Sequence, residues 1–240
     1  MNPIDEAVRQ MPPITLTELD ATAQLLTRVD QKYFVPRGLL AGLISELDQC
    51  RVLEIGGRRR FDYRTVYFDS RNFAFYRHHL QGRRHRHKVR TRTYTDSGIC
   101  LLEVKSQALR DSTVKRRIEH DPERPEALSS SDGPFVAELT GADPARLRPV
   151  LSTIYQRTTL TQRDQRITLD IDLELLADAV THRGPDDVLV ETKSASGRGA
   201  LDRLLLRARI RPHTVSKYCV AASLRRYCIP SYRTIPGTAP

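Results

Sequence analysis

Apolar residues recur at helical spacing through Leu16, Leu19, Ala23 and Leu26, and the segment that follows, residues 28–35, switches to period-two alternation, so a helix is predicted to hand over to a strand. Pro36 opens another helical run through Leu39, Leu40, Leu43, Ile44 and Leu47, at a position where its missing N–H costs nothing. The β-branched and aromatic stretch 61–69 predicts a strand, and residues 72–80 a short helix before the Gly82 turn. Three antiparallel strands follow at 84–94, 99–106 and 114–119, the first pair joined through Asp96, Ser97 and Gly98. The Pro- and Ser-rich stretch 121–134 reads as a mobile surface loop, and Arg58 to Arg60 as a solvated one. Helical pieces at 135–139 and 145–151 precede strands at 155–161, 166–173 and 188–193. Closing helices are expected at 200–210 and 216–226, the second with Ser216 as N-cap, before a loose tail at 229–240. With no internal repeat, the economical arrangement is one α+β domain over residues 1–240, its core at about 25–226.

Period-two arithmetic assigns the chemistry to faces, because residues two apart on a strand point the same way. On 84–94 the even positions are Arg84, Arg86, Lys88, Arg90 and Arg92, an unbroken row of cations. Neighbours about 7 Å apart along a strand repel one another, so such a row is tolerated in water or opposite an anion. A solvated edge strand with protective basic residues satisfies that condition too. The other strands repeat the segregation: Arg28, Asp30 and Lys32 share a face, as do Glu103 and Lys105, Arg166, Asp170 and Asp172, and Glu191 and Lys193, each opposite a largely apolar face. A closed sheet could then carry charges outside around an apolar core, or charges inside with helices on the apolar exterior. Amphipathic helices such as 39–47 need an apolar surface to lie on, which favours an antiparallel β-barrel tunnel with helices packed on its outside.

The balance of 39 Lys+Arg against 29 Asp+Glu in 240 residues, a formal charge of +10, predicts attraction to polyanions. Aromatics are only 6% and Trp is absent, so stacking platforms for single strands are scarce and no specific nucleic-acid partner is expected. Cys50, Cys100, Cys219 and Cys228 are widely spaced with no paired motif, which suits a reducing cytoplasm, and no apolar stretch approaches the length of a membrane span. His78, His79, His85 and His87 with Cys100 match no ordered zinc ligand set. Cations gathered in a low-dielectric tunnel are costly unless a polyanion fills it, and a chain of phosphates has the right shape. Carboxylates among those cations, Glu103 and Glu191, supply oxygen ligands that suit Mg²⁺ or Mn²⁺.

The ordered set RVDQKYFV, YRTVYFDS, HKVRTRTY, LLEVKS, VKRRIE, YQRTTL, RITLDIDLEL, LVETKS and SKYCVA, from about Leu25 to Leu224, resembles the catalytic domain of the vacuolar transporter chaperone (VTC) polyphosphate polymerases, in a short bacterial form within the triphosphate tunnel metalloenzyme superfamily. That resemblance implies a tunnel in which ATP or another nucleoside triphosphate passes its terminal phosphoryl group to polyphosphate. By position it implies phosphate-binding roles for Lys32, Arg90, Arg92, Lys105, Arg157, Arg166, Lys193 and Lys217, and a metal-binding role for Glu191. Lys88, Lys115, Arg117 and Tyr155 are further candidates for lining the channel. The first strand carries RVDQK where many tunnel enzymes have ExExK, so assignments tied to that signature do not transfer. A triphosphatase on the same barrel, with water in place of the acceptor phosphate, and a non-catalytic polyanion binder remain open.

Overall fold

The computed structural model describes residues 3–23, 29–107, 113–163, 165–177 and 180–224. In chain order the elements are α1 (Pro3–Arg9), β1 (Pro13–Ile14), α2 (Leu16–Ala23), β2 (Val29–Val35), α3 (Arg37–Ser45), β3 (Cys50–Leu53), β4 (Phe61–Ser70), α4 (Ala74–Leu80), β5 (His87–Tyr94), β6 (Ile99–Gln107) and β7 (Thr113–His120). There follow α5 (Asp132–Thr140), a 3₁₀ turn (Pro144–Arg146), β8 (Leu147–Gln162), β9 (Gln165–Ala177), β10 (Val180–Arg183), β11 (Val188–Ser194), α6 (Ala200–Arg207) and α7 (Lys217–Ser223).

The strands form one sheet in the order β2-β11-β9-β8-β4-β5-β6-β7, with β10 extending β9, and β3 joining β8 and β1 at the side. The pairing along the main order is antiparallel throughout. The expected closure is therefore corrected in one respect: among the described residues no ladder joins β2 to β7, so the sheet is not a hydrogen-bonded barrel. It is nevertheless strongly curled. The Lys105 ammonium on β6 feels Lys193, Asp30, Glu191 and Lys32 from β11 and β2, strands at the far end of the order. Only a sheet bent into a channel brings those ends within electrostatic reach.

Apolar side chains cover the convex face. Across β2, β11, β9 and β8 the buried residues Tyr33, Val35, Val188, Val190, Ile167, Leu169 and Leu160 meet Ile4 and Val8 of α1, Leu40 and Ile44 of α3, and Leu201 and Leu205 of α6. In α3 and α6 the contacting pairs are four apart, one helical stripe each, and each such buried side chain contributes roughly 1.5–3 kcal/mol relative to exposure. Val66, Phe68, Val89, Leu102 and Val104 of β4, β5 and β6 meet Phe75 of α4 and Val136 of α5. Helix α7 packs differently, with Tyr218, Ala221 and Ala222 against Tyr67, Leu151 and Leu175.

Several elements depart from the sequence reading. Residues 3–9 form a helix whose Ile4 and Val8 reach the core. Residues 145–151 enter β8 almost at once, because Asp143 caps a single 3₁₀ turn by accepting the Ala145 N–H. Nor are Arg58 to Arg60 a solvated loop: Arg58 pairs with Asp96, Arg59 with Glu54 at 2.7 Å and with carbonyls that end α1, and Arg60 with Asp5 at 2.8 Å. The Pro- and Ser-rich stretch after β7 is pinned too, the Pro125 carbonyl accepting from Thr91 Oγ1 at 2.6 Å and buried His120 meeting Asp132 at 3.2 Å. The tail from residue 225 and the segment 24–28, with Arg28, lie outside the described residues.

One buried carboxylate ties the first half of the sheet to α6. Asp202, fully buried, accepts from Tyr33 Oη at 2.8 Å on β2, Thr192 Oγ1 at 2.6 Å on β11, Gln165 Nε2 at 2.8 Å on β9 and the Gly199 N–H at 2.8 Å. Asp202→Ala strands those donors away from water, and each unmatched buried group costs about 1–3 kcal/mol. The expected loss is about 3 kcal/mol of unfolding free energy, measured as a lower urea midpoint at unchanged slope.

Candidate active site

The concave face collects charged side chains from β2, β5, β6, β7, β8, β9 and β11, while β4 contributes the neutral Tyr63, Thr65 and Tyr67. On β5, Lys88, Arg90 and Arg92 point inward, whereas Arg84 and Arg86 precede the strand, so the expected row of five contracts to three. In the ladder Lys88 lies opposite Lys105, Arg90 opposite Glu103, and Lys105 opposite Lys115 on β7. Glu103 is 1% exposed and is held by Arg90 Nη2 at 2.7 Å, Arg92 Nη2 at 3.8 Å and Lys115 Nζ. Burial alone would raise its carboxyl, but these cations hold it well below the usual carboxylate range.

A second centre forms around Asp170 on β9, which accepts Arg157 Nε from β8 at 2.6 Å and Lys217 Nζ from α7 at 2.5 Å. Burial opposes its ionisation, and Arg157 and Lys217 overcome that and lower its pKa. The ring of Tyr155 stacks on Tyr63 with centroids 5.3 Å apart, and receives Lys217 Nζ at 4.5 Å and the Arg157 guanidinium at 5.2 Å. Burial would push the Tyr155 phenol up, yet Arg92, Arg157 and Lys217 outweigh it and bring the phenol below its ordinary value.

The third centre lies on β11 and β2. Lys193 Nζ bridges Glu191 and Asp30, each at 2.8 Å, and Lys32 sits opposite Glu191 in the register. Glu191 is driven well below the carboxylate range: burial acts against this, while Lys193, Lys32 and Arg157 favour the anion. Burial would lower Lys193, but Glu191 and Asp30 keep it above an ordinary lysine.

Twelve of the fourteen side chains singled out in the sequence thus fall into three charged centres or between them; Arg166 and Arg117 stand at the margins. Arg166 lies opposite Lys193 in the ladder with Asp20 of α2 at 3.9 Å, and Arg117 is exposed on edge strand β7 opposite Glu103. Asp172 leaves the row altogether. Its φ of 53° accompanies a register shift between β8 and β9, and its carboxylate turns to Arg37 at 2.7 Å.

Sequence reasoning passed over the neutral residues of the same face. Thr65 lies between Thr153 on β8 and Arg92 on β5, and Thr168 lies opposite Glu191. The buried atoms Thr65 Oγ1, Thr153 Oγ1, Thr168 Oγ1 and Arg92 Nε have no hydrogen-bond partner among the described residues. Buried polar groups are nearly always paired, which sets these atoms apart; Thr65, Thr153 and Arg92 are neighbours in the ladder, whereas Thr168 stands opposite Thr159, six residues farther along β8. Alternation within Tyr63, Thr65 and Tyr67 was the available signal.

A family model described as the VTC domain matches residues 27–225. The chain belongs to the VTC domain family. No curated protein matches this VTC domain significantly. Among solved structures, its fold is similar to a putative adenylate cyclase from Bacillus halodurans, with a TM-score of 0.54 and 14% identity over 79% of this chain and 94% of that one. It is also similar to a putative adenylyl cyclase from Hippeastrum, described as having a dominant triphosphatase activity, with a TM-score of 0.51 and 15% identity over 83% and 97%. At these identities the likenesses show a shared fold. Among the described residues no helix is long and apolar enough to cross a membrane.

Two lysines of the VTC domain make its concave face pH-sensitive. Burial, assisted by Lys105, Arg90 and Lys32, brings Lys88 down to about 8, and burial with Lys193 lowers Lys105. As pH rises through about 8 the folded protein loses this charge, whereas an unfolded lysine keeps its proton to about 10.4. Folding stability attributable to Lys88 therefore rises with pH in that window, while attraction for anions falls. Calorimetric titration with inorganic tripolyphosphate is expected to show weaker binding at pH 9 than at pH 7, with a smaller difference in Lys88→Met.

Proposed function

We propose that this VTC domain is a metal-dependent phosphotransferase that passes the terminal phosphoryl group of a nucleoside triphosphate such as ATP to a polyphosphate chain held in the tunnel. The observation that carries the reading is the unpaired set of Arg92 Nε, Thr65 Oγ1 and Thr153 Oγ1, neighbours in the ladder, on a face where part-buried lysines and arginines outnumber the carboxylates beside them. Phosphoryl transfer needs no protein nucleophile; it needs the reactants in line and the charge on the equatorial oxygens neutralised. Arg92, Lys32, Lys105 and Lys217 are the proposed phosphate ligands, with Arg90 and Arg157 held in place by Glu103 and Asp170. A terminal oxygen of the acceptor chain forms the new P–O bond as the bond to the β-phosphate oxygen breaks, leaving the nucleoside diphosphate.

The donor set fits a hard divalent cation, Mn²⁺ or Mg²⁺, only in part. Among the described residues no group of three or more His, Cys, Asp or Glu side chains converges on a single point. Mg²⁺ commonly takes one or two carboxylates and completes its shell with water and substrate phosphates, a role that Glu191 suits. Glu103 does not suit it, since Arg90, Arg92 and Lys115 all lie within 4 Å of that carboxylate, whereas among the described residues Glu191 has Lys193 alone so close. A bound metal, held by Glu191, would supply charge neutralisation for the phosphate oxygens.

A triphosphatase is the second reading, supported by the likeness in fold to the Hippeastrum protein; water then takes the acceptor's place. Purified protein incubated with ATP and Mn²⁺ distinguishes the two by whether long-chain polyphosphate or orthophosphate accumulates. Lys32→Ala and Arg92→Ala are each expected to lower turnover by at least about a hundredfold without loss of folded protein, in line with removal of one transition-state ligand. Undiminished product in both variants would refute the assignment. Glu191→Gln is expected to raise the Mn²⁺ concentration for half-maximal rate, and an unchanged metal dependence would remove Glu191 from the metal site.

A further inference from the structure

On the convex side, behind the Glu191 and Lys193 centre, β11 runs into a short loop of small residues, Ser194-Ala195-Ser196-Gly197-Arg198-Gly199, which delivers the chain to the N-terminus of α6. A cavity of about 250 Å³ opens there, lined by Arg163, Ser194, Ser196, Arg198, Gly199 and Arg203. That is several times the ~30 Å³ share of one water, so the space admits a phosphoryl group. Ser194, one of the lining residues, is 2% exposed, and its buried Oγ has no hydrogen-bond partner among the described residues. No carboxylate pairs with Arg163, Arg198 or Arg203 among those residues, although the Arg203 guanidinium donates to the Arg198 carbonyl at 2.7 Å and so steadies the loop.

The loop is held in one shape. Gly197 has φ +67°, and a Cβ there would come within 2.6 Å of Val29; a Cβ at Gly199 would come within 2.2 Å of the Gln165 amide. Asp202 lies beneath, turned inward to its donors on β2, β9 and β11 as well as to the Gly199 N–H. Three arginines, two serines and the N-terminal end of α6 thus line a preformed hollow; Asp202 beside it is taken up by its own donors, and Glu46 and Asp48 line the adjoining hollow that Arg163 and Arg203 share. Planar guanidinium forks match tetrahedral oxyanions in two-point contacts, which lysines do not.

We propose that this hollow is a second anion site, separate from the tunnel, that binds a phosphate-class oxyanion of the size of orthophosphate or pyrophosphate. It does not depend on the phosphotransferase reading. Calorimetric titration of the full-length chain with inorganic pyrophosphate tests it. Wild type is expected to bind two equivalents, and R163E/R198E, which alters only exposed side chains, to lose one of them with at least a tenfold weakening. Ser194→Ala, which removes only the hydroxyl, is expected to weaken the same equivalent about tenfold, and Arg92→Ala to weaken only the other. Two equivalents retained in R163E/R198E would overturn the proposal. So would a single wild-type equivalent that Arg92→Ala abolishes, or displacement of the outer equivalent by poly-glutamate as readily as by orthophosphate. A single equivalent that responds to R163E/R198E and not to Arg92→Ala would uphold the outer site while removing support for the tunnel.

Discussion

Charge compensation inside a curled sheet is the constraint on which the rest of this structure depends. An isolated buried ion is too costly to survive folding, and a group so placed ordinarily gives up its charge. Here Glu103, Asp170 and Glu191 each neutralise part of a surrounding set of cations, and each is itself kept ionised by that set. The carboxylates therefore let Arg90, Arg157 and Lys193 stand in a partly dehydrated channel without a ligand. Compensation is incomplete, and the channel keeps residual positive charge together with unpaired hydroxyls.

The same constraint explains the layering. A face studded with ions cannot carry helices, so the helices α1, α3 and α6 gather on the opposite, apolar face. Helix α7 meets the inner side only where Tyr67, Leu151 and Leu175 make it apolar, and it brings Lys217 to the boundary between grease and charge. Asp69 fixes that arrangement, accepting the Phe75 N–H at 3.0 Å and the Tyr76 N–H at 3.1 Å from α4 as well as the Tyr218 hydroxyl. Packing and site are in this sense one design, because the residue that docks α7 adjoins the residue that serves the channel.

Period-two alternation made most of the strands and their inward rows legible from the sequence alone. It served well for Lys88, Arg90 and Arg92 and for Glu191 and Lys193, where the ladder runs without interruption. It failed where backbone geometry breaks the period: the irregularity near Tyr155 turns Asp172 out to Arg37, and Arg84 and Arg86 precede the strand they were assigned to. The helix at residues 3–9 was missed because only Ile4 and Val8 of its short stripe are buried. Pairing of Arg58, Arg59 and Arg60 with partners up to 55 residues away leaves no local pattern to read. Closure of the sheet, too, rests on whether β2 and β7 meet, a long-range outcome on which alternation is silent.

The channel draws Lys32 from the beginning of the chain and Lys217 from near the end of the described residues, and α7, which presents the latter, leaves the ribosome after every strand. A nascent chain thus carries most of its cations before it has the means to gather them, with Arg90, Arg92 and Arg157 awaiting counter-charges on strands not yet made or not yet paired. Domains form as units and contacts of high sequence separation come late. An emerging polypeptide accordingly lacks the assembled channel, whose set of cations is completed only when α7 docks.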